Sequence, residues 1–198
     1  MASVGASGEI LLMWDRRVVS KVDVYVGDFV AASLFRNVDD SLEWAFAGVY
    51  GPTGDIHRRQ LWEELAGVMS LWDVLWCIGG DFNITLFQSE MSGGARRRSV
   101  VIAFEEFTVE QGLMDLPLSG GVSMWSNNRS WSRLDRFLVS PKWELSYPGL
   151  MQKKLLRLCS DYTPIFLLKG SLQNRKSSFK FENMWLKDEG FVDKVRNW

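Results

Sequence analysis

Apolar positions along the chain alternate between two periods, and the alternation predicts the elements. Residues 10–14 form a short apolar run, and residues 29–35 and 44–50 are β-prone. The polar stretch Asn37-Val38-Asp39-Asp40-Ser41 between those two segments predicts a hairpin. Tyr50-Gly51-Pro52-Thr53-Gly54 then breaks the pattern with turn residues. From Ile56 onward Leu61, Leu65, Val68, Met69 and Trp72 recur at helical spacing, which predicts an amphipathic helix to about residue 71 with Asp55 as its N-cap. Val74-Leu75-Trp76-Cys77-Ile78 is continuously apolar, as a strand buried on both faces must be, and it stops at Gly79-Gly80-Asp81-Phe82-Asn83. Ser99 is placed to cap a second helix with a core face of Val100, Ala103, Phe104 and Phe107 and with Gly112 at its C-terminal end. Residues 134–139 and 163–168 read as further strands. Residues 170–178 read as a polar linker before Phe179-Lys180-Phe181 and a short helix from about Met184. Helices alternating with strands and hairpins predict an α/β (α+β) sandwich on mixed sheets over residues 1–169, followed by a linker and helix over 170–198.

Composition narrows the class. At 198 residues the chain is about one domain long, and 46% hydrophobic with 24% charged residues excludes a disordered or collagen-like chain. The 23 basic and 24 acidic residues sum to −1, so the chain lacks the overall charge of a strongly basic nucleic-acid binder, although a local basic patch stays compatible with that sum. Cys77 and Cys159 sit among apolar neighbours and read as buried thiols in a reducing compartment. No apolar run approaches the about 20 residues that span a bilayer. Glu9, just ahead of the 10–14 run, and the lack of a basic leader argue against a signal peptide. The chain is expected to be soluble and intracellular, in nucleus or cytoplasm. It holds 10 Trp but 1 His, which leaves little room for His-based metal sites or triads.

Candidate chemistry gathers where apolar strands end. Asp81 and Asn83 follow the 74–78 run, and in an extended chain the period of two points both side chains to one side. Tyr50 closes another strand, Asp135 lies within Ser132-Arg133-Leu134-Asp135-Arg136, and Asp161 precedes the last apolar run. Carboxylates and amides with almost no His or Cys suit a hard, oxygen-liganded cation such as Mg²⁺. Blander readings exist for each: a polar strand-exit turn for Asp81 and Asn83, a packed ring for Tyr50, and a surface pair with Arg133 or Arg136 for Asp135. Arg96, Arg97 and Arg98 form either a solvated loop or a phosphate-binding one, and Lys153, Lys154 and Arg157 carry the same two readings. Trp125 and Trp131 flank a polar loop, where they can stack on a nucleotide.

In order and approximate spacing, Val49-Tyr50-Gly51-Pro52, Gly79-Gly80-Asp81-Phe82-Asn83, Ser132-Arg133-Leu134-Asp135-Arg136 and Ser160-Asp161-Tyr162-Thr163-Pro164-Ile165 resemble the endonuclease/exonuclease/phosphatase superfamily, with its deoxyribonuclease-I-like fold. Residues 8–14, Asp115-Leu116-Pro117-Leu118, Gly120-Gly121, Trp125-Ser126-Asn127 and Phe181-Glu182-Asn183-Met184-Trp185-Leu186 resemble more narrowly the endonuclease region of plant LINE-type (non-LTR) retroelement polyproteins, where the last motif leads toward the reverse transcriptase. The resemblance implies Mg²⁺-dependent hydrolysis of DNA phosphodiesters. It implies that Asp81 and Asn83 orient and deprotonate the attacking water and hold the phosphate, that Tyr50 contacts the phosphate, and that Asp135 orients a catalytic His. It also implies that Asp161 lies near the metal.

Three departures imply an impaired site. Tyr162 stands where that His belongs, and a phenol with a pKa near 10 supplies no cation at neutral pH. Met124 replaces a usual Thr. The resemblance also starts this chain beyond the family's first strands, which carry an Asn and the principal metal-binding Glu. Glu9 lies too close to the wrong strand to replace that Glu, and a sheet edge would be left bare. The expectation is therefore a catalytically impaired remnant of a retroelement endonuclease. The alternatives are a non-catalytic nucleic-acid-binding or interaction module, and a phosphatase of the same superfamily acting on small substrates.

Overall fold

The computed structural model describes residues 9–92, 98–120, 125–126, 131–155 and 163–169. The chain opens with three antiparallel strands, β1 (Val19–Val26), β2 (Val30–Asn37) and β3 (Glu43–Tyr50). Helix α1 (Asp55–Met69) carries the chain over to β4 (Leu75–Asp81), which pairs parallel to β3. After a short 3₁₀ turn (Gln88–Glu90) come α2 (Arg98–Glu110), the two-residue strands β5 (Met114–Asp115), β6 (Leu118–Ser119), β7 (Trp125–Ser126) and β8 (Trp131–Ser132), then β9 (Asp135–Val139). Helix α3 (Pro141–Ser146), β10 (Leu150–Lys154) and β11 (Ile165–Lys169) follow. The main sheet runs β1-β2-β3-β4-β9-β5, a second sheet runs β11-β10-β6, and β7 pairs with β8. The predicted mixed α/β sandwich is the observed architecture. No helix among the described residues is long and apolar enough to cross a membrane.

Strand β4 lies inside the main sheet, and its unbroken apolar run serves two cores. Trp76 and Ile78 face one core, built with Val30, Ala32, Ala47 and Val49 of the sheet and Leu61, Trp62 and Leu65 of α1. Leu75 and Cys77 face the other, with Val139, Leu116 and Trp143. Phe104 and Phe107 of α2 stack on Trp62, with ring centroids 4.7 and 5.0 Å away. Burial pushes the Cys77 thiol up to about 12. Cys159 lies outside the described residues.

Several local expectations change. Asp55 is not the N-cap of α1. Gly54 holds that position without a side-chain cap, and Asp55 is the first helical residue, its carboxylate engaged by Arg58. Ser99 does not cap α2, because Arg98 is already helical. On the α2 core face Phe104 and Phe107 are buried with Val101, whereas Val100 and Ala103 are half-buried. Gly112 closes α2 at φ +61°, as expected of a left-handed terminator. The apolar run over residues 10–14, which carries no predicted element, lies with Ile10 and Leu12 against Gly48 of β3. The missed strand β1 is an edge of the main sheet with Val22, Val24 and Val26 exposed, and its register shifts between Lys21 and Asp23. Such a bulge blunts an edge against pairing. The predicted linker and helix over 170–198 lie outside the described residues.

A buried ionic cluster ties the start of β9 to its neighbours. Arg133 donates to Glu90 Oε1 and Asp115 Oδ1 at 2.9 Å each, and Arg136 donates to Glu90 Oε2 at 2.7 Å. Glu90 also accepts from the Leu86 and Phe87 amides. Burial pushes its carboxyl up, but Arg136 and Arg133 outweigh that and hold it below the usual range. Gln152 of β10 completes the cluster, donating to Leu116 O and Phe137 O and accepting from Phe137 N.

Candidate functional site

Sheet register, before any side chain is considered, brings three of the expected residues into one row. Tyr50 at the end of β3 is the parallel partner of Asp81 at the end of β4, and Asp81 is the antiparallel partner of Asp135 at the start of β9. All three side chains are half-buried. They border a cavity of about 360 Å³ whose lining also includes Glu9, Phe137 and Ile165. Its lining holds no Lys, Arg or His among the described residues.

Close backbone packing fixes the row. Gly80 sits at φ +145°, and a Cβ there would come 2.1 Å from Val49 O. Gly51 N donates to Asp81 O at 2.6 Å, and Phe82 N to Leu134 O at 3.1 Å. Gly80→Ala is therefore expected to destabilise the chain by about 1–3 kcal/mol through backbone strain. A urea midpoint lowered without a changed slope is the confirming result, and an unchanged midpoint would show that this crossing has room.

Asn83 is not in extended chain. Its φ is +52°, so the period-two argument that set its side chain beside that of Asp81 does not apply. Instead its N–H donates to Asp81 Oδ1 at 2.8 Å and its Nδ2 donates to Gly51 O at 2.7 Å. Arg58 of α1 donates to Asn83 O at 3.1 Å, a contact that sequence reading missed because nothing in an amphipathic helix pattern singles out one half-buried arginine.

The electrostatics of the row follow from burial and from the two carboxylates facing each other, which the more distant Arg136 charge only partly offsets at Asp135. Burial raises the Asp81 carboxyl, and the Asn83 N–H partly opposes that. Burial first, and the Asp81 charge second, push Asp135 up to about 7. Asp135 Oδ2 is buried and has no hydrogen-bond partner among the described residues. The surface pair of Asp135 with Arg133 or Arg136 is not observed. Both guanidinium groups are buried in the Glu90 and Asp115 cluster instead. Like charges opposed across a ladder disfavour each other, so this pair favours holding a proton.

Asp161, Tyr162, Arg96, Arg97 and Met124 lie outside the described residues, as do the side chains of Arg98 and Trp125. Trp131 is half-buried on β8, where its backbone bonds with Ser92. His57 is exposed near the start of α1, with Nδ1 3.0 Å from Gln60 Oε1, and it does not line the cavity. Among the described residues no group of three or more His, Cys, Asp or Glu side chains is placed to hold a metal ion. With one oxygen of Asp135 sealed away, the described residues do not by themselves form a magnesium site.

Solved structures share this architecture. An endonuclease/exonuclease/phosphatase family protein from Bacteroides thetaiotaomicron is similar with a TM-score of 0.54 and 17% identity, over 77% of this chain and 65% of that one. The endonuclease domain of TRAS1, a telomere-specific non-LTR retrotransposon, gives a TM-score of 0.59 and 16% identity, over 79% of this chain and 70% of that one. A mannosyl-6-phosphatase from Bacteroides thetaiotaomicron gives 0.50 and 15%, over 76% and 67%. No protein-family profile matches the chain, and no curated protein is similar to it in sequence. The chain has the fold of the endonuclease/exonuclease/phosphatase proteins, which is deoxyribonuclease-I-like. It spans about two thirds of the length of these structures.

Proposed function

We propose that the chain is a remnant of a retroelement endonuclease domain that keeps the strand-end framework for phosphodiester hydrolysis but is catalytically impaired. The observation that carries this reading is the Tyr50, Asp81 and Asp135 row around a cavity whose described lining holds no cation. The likeness to a retrotransposon endonuclease domain supports the ancestry, and DNA is the partner it suggests. In this reading Asp81 accepts a proton from the attacking water, its carboxylate held by the Asn83 N–H. The Tyr50 hydroxyl donates to a phosphate oxygen. Asp135, about half ionised at pH 7, contributes no positive charge to the phosphate.

Electrostatic stabilisation of the developing charge is usually the largest catalytic term, and its loss costs orders of magnitude in rate. Mg²⁺ would supply that charge in the family, with Asp161 as the residue the resemblance assigns to it. Tyr162 in place of His removes a second source. The expected result is that the purified full chain, shown to unfold cooperatively, nicks supercoiled plasmid no faster in Mg²⁺ than in EDTA, and no faster than its Asp81→Ala variant. Mg²⁺-dependent nicking that Asp81→Ala abolishes would overturn the impairment.

A further inference from the structure

Beyond the strand-end row and the ionic cluster, Arg58 of α1 stands out by its placement. Its side chain is 13% exposed, so it is not an ordinary solvated helix arginine. Burial lowers its pKa, meaning that the charged form is held there against desolvation. Nη1 binds Asp55 one turn back, and Nη2 leaves the helix to reach the Asn83 carbonyl, 25 residues away in sequence. Asn83 sits at a left-handed φ of +52°, a conformation that asparagine tolerates better than other side-chain-bearing residues but that still leaves it dependent on its contacts for a fixed position. Three tethers enforce it: its N–H on Asp81 Oδ1, its Nδ2 on Gly51 O, and its carbonyl under Arg58. The first of these orients the Asp81 carboxylate. The third is the one tether that comes from outside the strand ends.

We propose that Arg58 is a positioning residue for Asp81: by pinning the Asn83 carbonyl it keeps Asn83 left-handed, and so keeps the Asn83 N–H on the Asp81 carboxylate. The importance of that carboxylate rests on the functional reading above, whereas the coupling of Arg58 to it does not. An i,i+3 pair with Asp55 alone would stiffen one helical turn and leave Asn83 untouched. The Asn83 contact makes the two separable by measurement.

The test uses amide hydrogen exchange and carboxyl NMR titration on the isotope-labelled full chain, without any activity readout. In Arg58→Ala the Asn83 amide is expected to exchange about tenfold faster, the size of one lost hydrogen bond, while amides in the middle of α1 change by less than about twofold. The Asp81 carboxyl is expected to titrate higher, because the bond that opposed its burial is gone. Arg58→Lys, which keeps one donor and the charge, should restore much of the Asn83 protection. Unchanged protection at Asn83 in Arg58→Ala would overturn the proposal. So would a uniform loss over α1 and Asn83 together, since that is the signature of a purely structural role. Plasmid nicking by the wild-type chain would overturn the impairment reading and leave this result standing.

Discussion

Arg136→Ala is expected to cost about 3–5 kcal/mol, the range for removing one partner of a buried ion pair. Arg136 is fully buried, and its guanidinium serves Glu90, Asp115 and the Arg133 carbonyl while lying 5.5 Å from the Phe104 ring centroid. Truncation would leave two buried carboxylates sharing Arg133 alone. It would also remove volume from beneath α2. Glu90 would lose the larger of the two charges that hold it ionised, while the Leu86 and Phe87 amides still rely on its carboxylate. The loss is thus expected to spread to the loop that follows β4. Urea denaturation at pH 7 measures it. A change below about 1 kcal/mol would show that the cluster is far better hydrated than its burial implies. Replacing the whole cluster with apolar residues of matched volume is a different experiment, and such replacements are often neutral or stabilising.

Asp135→Asn is expected to act in the opposite direction and only above acid pH. The Asp135 carboxyl is raised from 3.8 to about 7 in the fold. Between those values the native state binds a proton that the unfolded state has released, so stability falls as pH rises. The penalty is absent below about pH 4, grows to about pH 7 and is complete above it. A carboxyl carried that far weighs about 4 kcal/mol, of which part is recovered if the strand ends relax. The charges bearing on it are Asp81 opposite and Arg136 on its own strand, while Tyr50 and Glu9 line the same cavity. An amide at this position cannot ionise, so Asp135→Asn should be more stable than wild type at pH 8 by a few kcal/mol and indistinguishable from it at pH 3.5. Thermal unfolding across that range provides the check. Parallel pH profiles for the two proteins would show that Asp135 ionises at an ordinary carboxylate value.

How far the fold was legible in the sequence depends on which physical signal each element carries. The 74–78 run stands out because a strand buried on both faces has no polar position to offer, and β4 proves to be that strand. Helix α1 and the hairpin between β2 and β3 announce themselves by period and by turn chemistry. Strand β1 hides because an edge strand with exposed valines has no buried face to impose a pattern. Strand β10, Leu-Met-Gln-Lys-Lys, hides because its buried residue is Gln152, whose fitness for the interior lies in partners on β9 and beside β5. The strand-end row was legible as Tyr50, Asp81 and Asp135, because polar residues terminating apolar strands are exceptional. Its supports were not. Arg58, Glu90 and Gln152 act through partners far away in sequence, and no local period or spacing encodes such pairings. Asn83 fails for a related reason: extended geometry was assumed two residues past the point where β4 ends.

Cys77 turns the interior of β4 into a clock. A thiol that burial carries to about 12 is almost wholly protonated at neutral pH and sealed from reagent, so it can be alkylated only in moments when the second core opens over that face of β4. Strands β3 and β9 pair on either side of it, and Leu75, Val139 and Trp143 close over it. The labelling rate at Cys77, followed by mass on the peptide that contains it, therefore counts openings of that core rather than fraying at the sheet's margins. The residue with the least chemistry of its own thus records how often the framework beneath Asp81 comes apart.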